Sequence, residues 1–440
     1  MAEPERVRRA SYGAASPVVG ARGARTRQQI VDVALQLFAE RGFHGTVVED
    51  IARSVGISRA TLYQYFASKE ELFRELVEES GSAQLRVMRR LGRLGPTAEG
   101  FDDLHWWLGE VTWVYEKYAT LFVQWANVDT PDGPLRPMLG RFLETYTTRL
   151  SERLVQGGVA GVDSEDLALA LWSMIERFNY YRHTRATGLT DDAAVDNLAV
   201  VAQLIVFPET PSALLAVRDH SMTLGRDWAQ AAAVFEGRPS WQPREGRFAS
   251  LSDEAFTTVR VLLDAGARLL ATSGYHDTSV NKIVREAGRS RGTFYKYFDG
   301  KLDLLLTLAR ECAENIRELS DRLGRVGSSG ELRAWLADFL ALHETHSGVF
   351  RVWLEQVVDD PAVRETSTVA IGSALAGITG LLSRVERAYA LDLGASALMV
   401  LGLLERLPDQ PRGTREERPT DRLLDTLASV MERGFLNSGT

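Results

Sequence analysis

Residues 56–69 read GISRATLYQYFASK, and residues 288–301 read GRSRGTFYKYFDGK. At the shift of 232 positions that separates them, residues 42–69 align with 274–301 without a gap, and fourteen of the 28 pairs are identical. Unrelated segments of average composition would agree at roughly one position in fifteen. The likeness resumes at a shift of 228, where Leu104, Trp107, Leu108, Phe122 and Trp125 answer Leu332, Trp335, Leu336, Phe350 and Trp353. The four missing residues fall in a glycine-rich turn, and MIERF at 174–178 later answers LLERL at 403–407. Two units, near 24–208 and 252–437, therefore make up the chain. Two copies at so long a period are duplicated domains, not a solenoid.

Each unit reads as helix throughout, because apolar residues recur at three- and four-residue spacing and strand signals are nearly absent. In the first unit Ile30, Val33, Ala34, Leu37 and Phe38 line one face, and Gly42 ends that helix. Thr46 is placed to cap a second, short helix with Glu49 as its capping-box partner; Gly56 stops it and Ser58 caps a third. Two short helices across a glycine turn have the dimensions of a helix-turn-helix. In the third helix Leu62 and Phe66 can pack inward, which leaves Arg59, Thr61, Tyr63, Gln64 and Tyr65 to meet something else. Guanidinium, hydroxyl and phenol groups suit phosphate oxygens and base edges in a major groove. Lys69 opens a fourth helix, whose free amides and ammonium could hold one backbone phosphate.

GFHGTVVEDIARSVGISRATLYQYFASKEELF and GYHDTSVNKIVREAGRSRGTFYKYFDGKLDLL both resemble the N-terminal DNA-binding domain of the TetR/AcrR family of bacterial transcriptional regulators. The resemblance implies an all-α fold of two tandem units. Each would be a three-helix DNA-binding domain followed by a helical ligand-binding and dimerisation bundle, the pair forming an intramolecular pseudo-dimer. It implies DNA contact by Thr46, Ser58, Arg59, Thr61, Tyr63, Tyr65 and Lys69, and by Thr278, Ser290, Arg291, Thr293, Tyr295, Tyr297 and Lys301. Arg289 departs from the pattern, standing where the family usually has Val or Ile, as in Ile57. The expected layout is a basic arm (1–23), DNA-binding domain 1 (24–70), ligand-binding domain 1 (71–208), linker (209–250), DNA-binding domain 2 (251–302) and ligand-binding domain 2 (303–440).

Charge points the same way. Residues 1–69 hold ten Lys/Arg against six Asp/Glu, and 254–301 hold eight against five, in a chain of net charge −8. Basic modules on an acidic remainder bind DNA with one face and repel it with the rest. At 440 residues two or more domains are the prior. The lone Cys312 cannot form an internal disulfide, which fits a reducing cytoplasm. The N-terminus shows no apolar core of a secretory signal, and no apolar run approaches the ~18 to 20 residues a membrane helix needs. The expectation is a cytoplasmic protein without membrane partners.

The first body is crowded with aromatics, HWWLGEVTWVYEKYATLFVQW at 105–125 and then Trp172 and Phe178, while the second contains AIGSALAGITGLL. The resemblance implies an effector site in this region, and the expected effector is small and hydrophobic or aromatic, bound in the first body by Trp107, Tyr115, Tyr118, Phe122, Trp125, Trp172 and Phe178. His343 and His346 read as polar pocket lining or surface, and His44 and His276 as structural. No metal or other cofactor is implied, and no P-loop, dinucleotide fingerprint, nucleophile elbow or HExxH marks an enzyme. In the linker Leu214, Val217, Ser221, Leu224, Trp228, Ala231 and Phe235 form a helical seam. The predicted function is a ligand-responsive repressor on an imperfect palindromic operator. An activator or architectural protein without effector, a sensor with an inactive second module, and further self-association of the chain all stay open.

Overall fold

A computed structural model describes residues 21–128, 135–184, 188–215, 246–355, 358–410 and 420–437. These form sixteen α-helices and two short 3-10 turns, with no strand among the described residues. The linker seam beyond Leu215 lies outside them, as does most of the N-terminal arm. The chain divides into two compact units, Met1–Arg89 with Trp113–Phe142, and Arg90–Thr112 with Leu143–Thr440.

In the first unit α1 (Ala21–Gly45), α2 (Val48–Val55), α3 (Arg59–Tyr65) and α4 (Lys69–Arg89) build the first helix-turn-helix module. Gly42 at φ 73° breaks α1 near its end, a left-handed conformation that side chains other than glycine resist. Ile30, Ala34, Leu37, Phe38, Ile51, Leu62, Phe66 and Phe73 form a core that is at most 5% exposed at any position. Parts of α5 (Ala98–Val128) and α6 (Leu135–Gln156) complete this unit.

The second unit contains the remainder of the first repeat, α7 (Ser164–Thr184) and α8 (Asp191–Val206), together with the whole second repeat. The latter begins with a second module, α9 (Asp253–Asp277), α10 (Val280–Glu286) and α11 (Arg291–Tyr295), and α9 is broken at Gly274 (φ 74°) as α1 is at Gly42. Its body follows as α12 (Lys301–Leu323), α13 (Ser329–Glu355), α14 (Pro361–Leu382), α15 (Leu393–Arg406) and α16 (Thr420–Gly434). Helix α7 packs on α15 and α8 on α16, so equivalent helices of the two repeats bury their apolar faces against each other. This is the arrangement of a two-fold interface made within one chain. The backbones approach closely where Gly402 faces Arg177: a Cβ at Gly402 would lie 2.9 Å from that of Arg177.

Helix α14 is, by length and composition, apolar enough to cross a membrane, a feature missed by looking for uninterrupted apolar runs because Ser and Thr interrupt its small residues. It packs extensively on α12, with Gly377 against the Ser320 backbone, and more than half of its apolar window is buried. That burial accounts for its composition as a core helix.

Candidate nucleic-acid interface and effector cavity

Both recognition segments start at a serine cap. Ser58 and Ser290 lie in extended backbone, and their Oγ atoms accept the amides of Thr61 and Thr293, each at 3.0 Å. The cap satisfies an amide the helix cannot pair internally and fixes the residue at which it begins. Below it Leu62 and Phe66, or Phe294 and Phe298, are buried, which turns the opposite side outward. Arg59 and Arg291 are exposed there, with Tyr63 at 40% and Tyr295 at 49%; Thr61, Tyr65, Thr293 and Tyr297 are half-buried beside them. Arg59 reaches toward Tyr63, its guanidinium 5.4 Å from the ring centroid, and pairs with Glu49 at 2.5 Å. The Arg291 guanidinium lies 5.9 Å from the Tyr295 ring.

The turn of the second module is undisturbed by Arg289. Its amide donates to Val284 O at 2.8 Å as the Ile57 amide donates to Ala52 O at 3.0 Å, and its side chain is exposed.

Four of the fourteen side chains do not face outward as expected. Thr46 is fully buried, its hydroxyl donating to the carbonyls of Leu37 (3.0 Å) and Gly42 (2.8 Å); Thr278 is 1% exposed and donates to Gly274 O at 2.7 Å. Neither caps the following helix. Val47 holds the cap position of α2 without a side-chain bond, and in the second module Ser279 caps α10. Lys69 donates to Phe43 O at 2.6 Å and Thr46 O at 3.0 Å, and Lys301 to Tyr275 O at 2.6 Å, each ammonium also lying over an aromatic ring. Partial burial pulls the Lys301 ammonium below the usual lysine range. Each lysine pins the end of its module's first helix to the start of the fourth. The unpaired carbonyls of a helix end attract a cation as readily as a phosphate would.

The expected effector residues of the first body are mostly packed. Trp107 is 2% exposed, Tyr115 stacks on half-buried Phe122 with centroids 4.6 Å apart, and Trp172 meets Tyr146 edge-on at 4.9 Å. Tyr118 donates to Glu79 at 2.6 Å and accepts from Lys117 at 2.9 Å, while Phe178 is wholly buried. The Trp125 side chain lies outside the described residues.

A cavity of about 60 Å³ opens in the second body, several times the ~10–15 Å³ that one water needs. Its aromatic wall is Trp335, Phe339, Phe350 and Trp353, and Ala370 and Ala374 of α14 leave it room. None of the six expected residues whose side chains are described lines it. Three of its wall residues, Trp335, Phe350 and Trp353, are the repeat equivalents of Trp107, Phe122 and Trp125. His343 and His346, expected as polar lining or surface, are each 4% exposed, and burial pulls both imidazoles below the usual histidine range. His44 and His276 are exposed and set edge-on to Phe43 and Tyr275.

The polar end of the cavity is contributed partly by the first repeat. Arg177 Nε lies 3.1 Å from Glu405 Oε2, Tyr181 donates to the same carboxylate, and Tyr180 stacks under the guanidinium at 4.0 Å. Burial works against the Arg177 charge, but the attraction of its partners outweighs that, and Arg177 stays protonated. The repeat-related pair, Arg406 and Glu176, stands at 3.4 Å without hydrogen-bond geometry. The four charges are the Glu-Arg steps of MIERF and LLERL facing each other across the two-fold interface. The signal was present in the sequence: a Glu-Arg pair amid apolar helix, occurring twice, needs a partner when buried, and the repeat supplies it.

Two capped recognition helices on one chain, each presenting Arg and Tyr, define a tandem helix-turn-helix DNA-binding protein. The family model described as "Bacterial regulatory proteins, tetR family" matches residues 30–76 and again 262–308. The negative transcriptional regulator IcaR of the biofilm operon icaADBC from Staphylococcus epidermidis is 30% identical over 131 residues, which is 30% of this chain and 68% of that protein. IcaR from Staphylococcus aureus is 31% identical over 109 residues, 24% of this chain and 55% of that protein. The chain belongs to the tetR family of transcriptional regulators. Among solved structures, NalD, a repressor of a multidrug efflux pump in Pseudomonas aeruginosa, covers 41% of this chain and 94% of its own at 18% identity (TM-score 0.32). AibR in complex with isovaleryl coenzyme A and operator DNA covers 40% and 96% at 20% identity (TM-score 0.32).

Proposed function

We propose that this chain is a cytoplasmic repressor that reads two unequal half-sites of one double-stranded operator with the two helix-turn-helix modules of a single polypeptide. The observation carrying this reading is the repetition of a serine-capped helix with outward Arg and Tyr. The intact turn at Arg289 supports an active second module, and the IcaR relatives, named as negative regulators, support repression. Ser58, Arg59, Thr61, Tyr63 and Tyr65, with Ser290, Arg291, Thr293, Tyr295 and Tyr297, form the proposed contact set. Half-sites are unequal because the exposed Ala60 and Gln64 become Gly292 and Lys296, while the Leu62 to Phe294 change is buried. A small apolar effector in the second-body cavity, beside the Arg177–Glu405 pair, would act through its different affinity for the bound and released states. The six-segment layout, with residues 209–250 as linker, is part of the same proposal.

Selection of bound duplexes from genomic fragments, followed by footprinting, tests it. The expected result is one chain per operator, with Arg59→Ala weakening protection of one half-site and Arg291→Ala the other, each by ~1 to 3 kcal/mol. A perfectly symmetric selected sequence, or both substitutions acting on the same half-site, would overturn the reading.

A further inference from the structure

The two helix-turn-helix segments share a scaffold but not a charge. Residues 46–69 carry three Lys/Arg and two acids, whereas 278–301 carry six and two. The difference sits at aligned positions around the recognition segment: Glu49, Asp50, Ile57 and Gln64 become Asn281, Lys282, Arg289 and Lys296.

In the first module the two acids of α2 engage its cations. Glu49 holds Arg59 at 2.5 Å, and Asp50 holds Arg53 at 2.9 Å and Arg41 at 2.8 Å. In the second, the counterparts of Arg59 and Arg53 are Arg291 and Arg285, which with Arg289 and Lys296 are exposed and in no ion pair among the described residues. The second module's Glu286 is instead engaged by Arg268 of α9 at 3.1 Å. Lys282 adds a further charge, its ammonium resting on Asp277 O at 2.7 Å.

On these observations, and resting on the DNA-binding reading above, we propose that the second module is the phosphate anchor and the first a charge-muted reader in which Glu49 sets discrimination. A polyanion attracts the second module whatever its sequence, because each cation brought to a phosphate releases condensed counterions. The first module gains little that way. Arg59 must leave Glu49 to reach DNA, and the carboxylate then faces the duplex as a repulsive element that only a matching base contact offsets. Glu49 is a positioning residue acting through Arg59.

The test measures binding of the full-length chain to its selected operator and to a random duplex across a salt series. Exchanging exposed second-module residues for those of the first, Arg289→Ile with Lys296→Gln, should flatten the slope of log affinity against log salt by about 2, near 0.9 for each phosphate no longer neutralised. The reciprocal pair Ile57→Arg with Gln64→Lys should steepen it. Glu49→Asn should tighten binding to the random duplex more than to the operator, lowering the specificity ratio, whereas Asn281→Glu should raise that ratio. Circular dichroism checks that each variant is folded, and the single substitutions serve where a pair is not. Unchanged slopes in folded variants, or a specificity ratio indifferent to Glu49, overturn the proposal while the DNA-binding reading stands. No binding of the wild-type chain to any duplex overturns both.

Discussion

In the first repeat's body the described aromatics pack on bulky neighbours, whereas in the second repeat's body aromatics line a cavity, although both descend from one unit. Tyr115 lies flat on Phe122 and Trp172 abuts Tyr146 in the first, whereas in the second Trp335, Phe350 and Trp353 face Ala370 and Ala374. Trp335, Phe350 and Trp353 are the repeat equivalents of Trp107, Phe122 and Trp125, and Phe350 keeps a ring neighbour in His343 at 4.6 Å as Phe122 does in Tyr115. Aromatic richness is therefore a poor guide to a pocket, because an aromatic cluster with large neighbours closes on itself at crystal-like density.

The largest expected effect concerns the charged end of that cavity. Glu405→Leu would leave Arg177 buried without its carboxylate and should cost about 3 to 5 kcal/mol in denaturant unfolding. Glu176→Leu, in the looser repeat-related pair, should cost clearly less, since Arg406 is 31% exposed and can reach water. Equal losses would mean that the two halves of the interface are energetically symmetric despite their geometry.

A smaller effect should separate the two bodies as sensors. Ala374→Leu places a branched side chain in the cavity and should weaken a releasing effector at least tenfold, about 1.4 kcal/mol, with operator affinity retained. Trp107→Phe should leave the response near wild type. Tryptophan emission offers the parallel readout: the ligand-induced change should vanish in Trp335→Phe with Trp353→Phe and survive in Trp107→Phe. Loss of response only with the first-body substitution would return the effector site to the first repeat.

The smallest effect is acid sensitivity. Tyr115 and Tyr118 of the first body correspond to His343 and His346 of the second, whose imidazoles burial holds below their ordinary range. Between the folded and unfolded histidine values the unfolded chain binds more protons, so this contribution to stability is present above about pH 6.5 and is lost as pH falls below it. Asp409 near His343, and Glu311 and Arg260 near His346, temper the shift. His343→Phe with His346→Tyr should flatten the melting temperature between about pH 6.5 and 5; an unchanged slope would show that these histidines do not resist protonation.

Much of the architecture was legible in the residues because its signals are local. Serine at 58 and 290, glycine at 42, 56, 274 and 288, and apolar residues every three to four positions specify caps, stops and buried faces from a few neighbouring residues. The duplication was legible for a different reason: repetition is a property of the string. The outward turn of Arg59 and Tyr63 followed from the inward packing of Leu62 and Phe66 four residues apart.

Side-chain destinations were another matter wherever the partner lies far along the chain. Thr46 looks like a helix cap, yet its hydroxyl bonds Leu37 and Gly42, and Lys69 looks like a phosphate ligand, yet it reaches carbonyls 23 and 26 residues away. Arg177 and Glu405, 228 positions apart, meet only because the two repeats pack through equivalent helices. The cavity is the extreme case, since it consists of what surrounding side chains fail to fill. The sequence by itself determined a helical, duplicated, DNA-binding chain, because those properties reside in periodicity, caps and repeated motifs. Tertiary structure alone decided which polar groups turn inward and which side chains from the two repeats line one cavity, because those depend on distant atoms brought within a few ångströms.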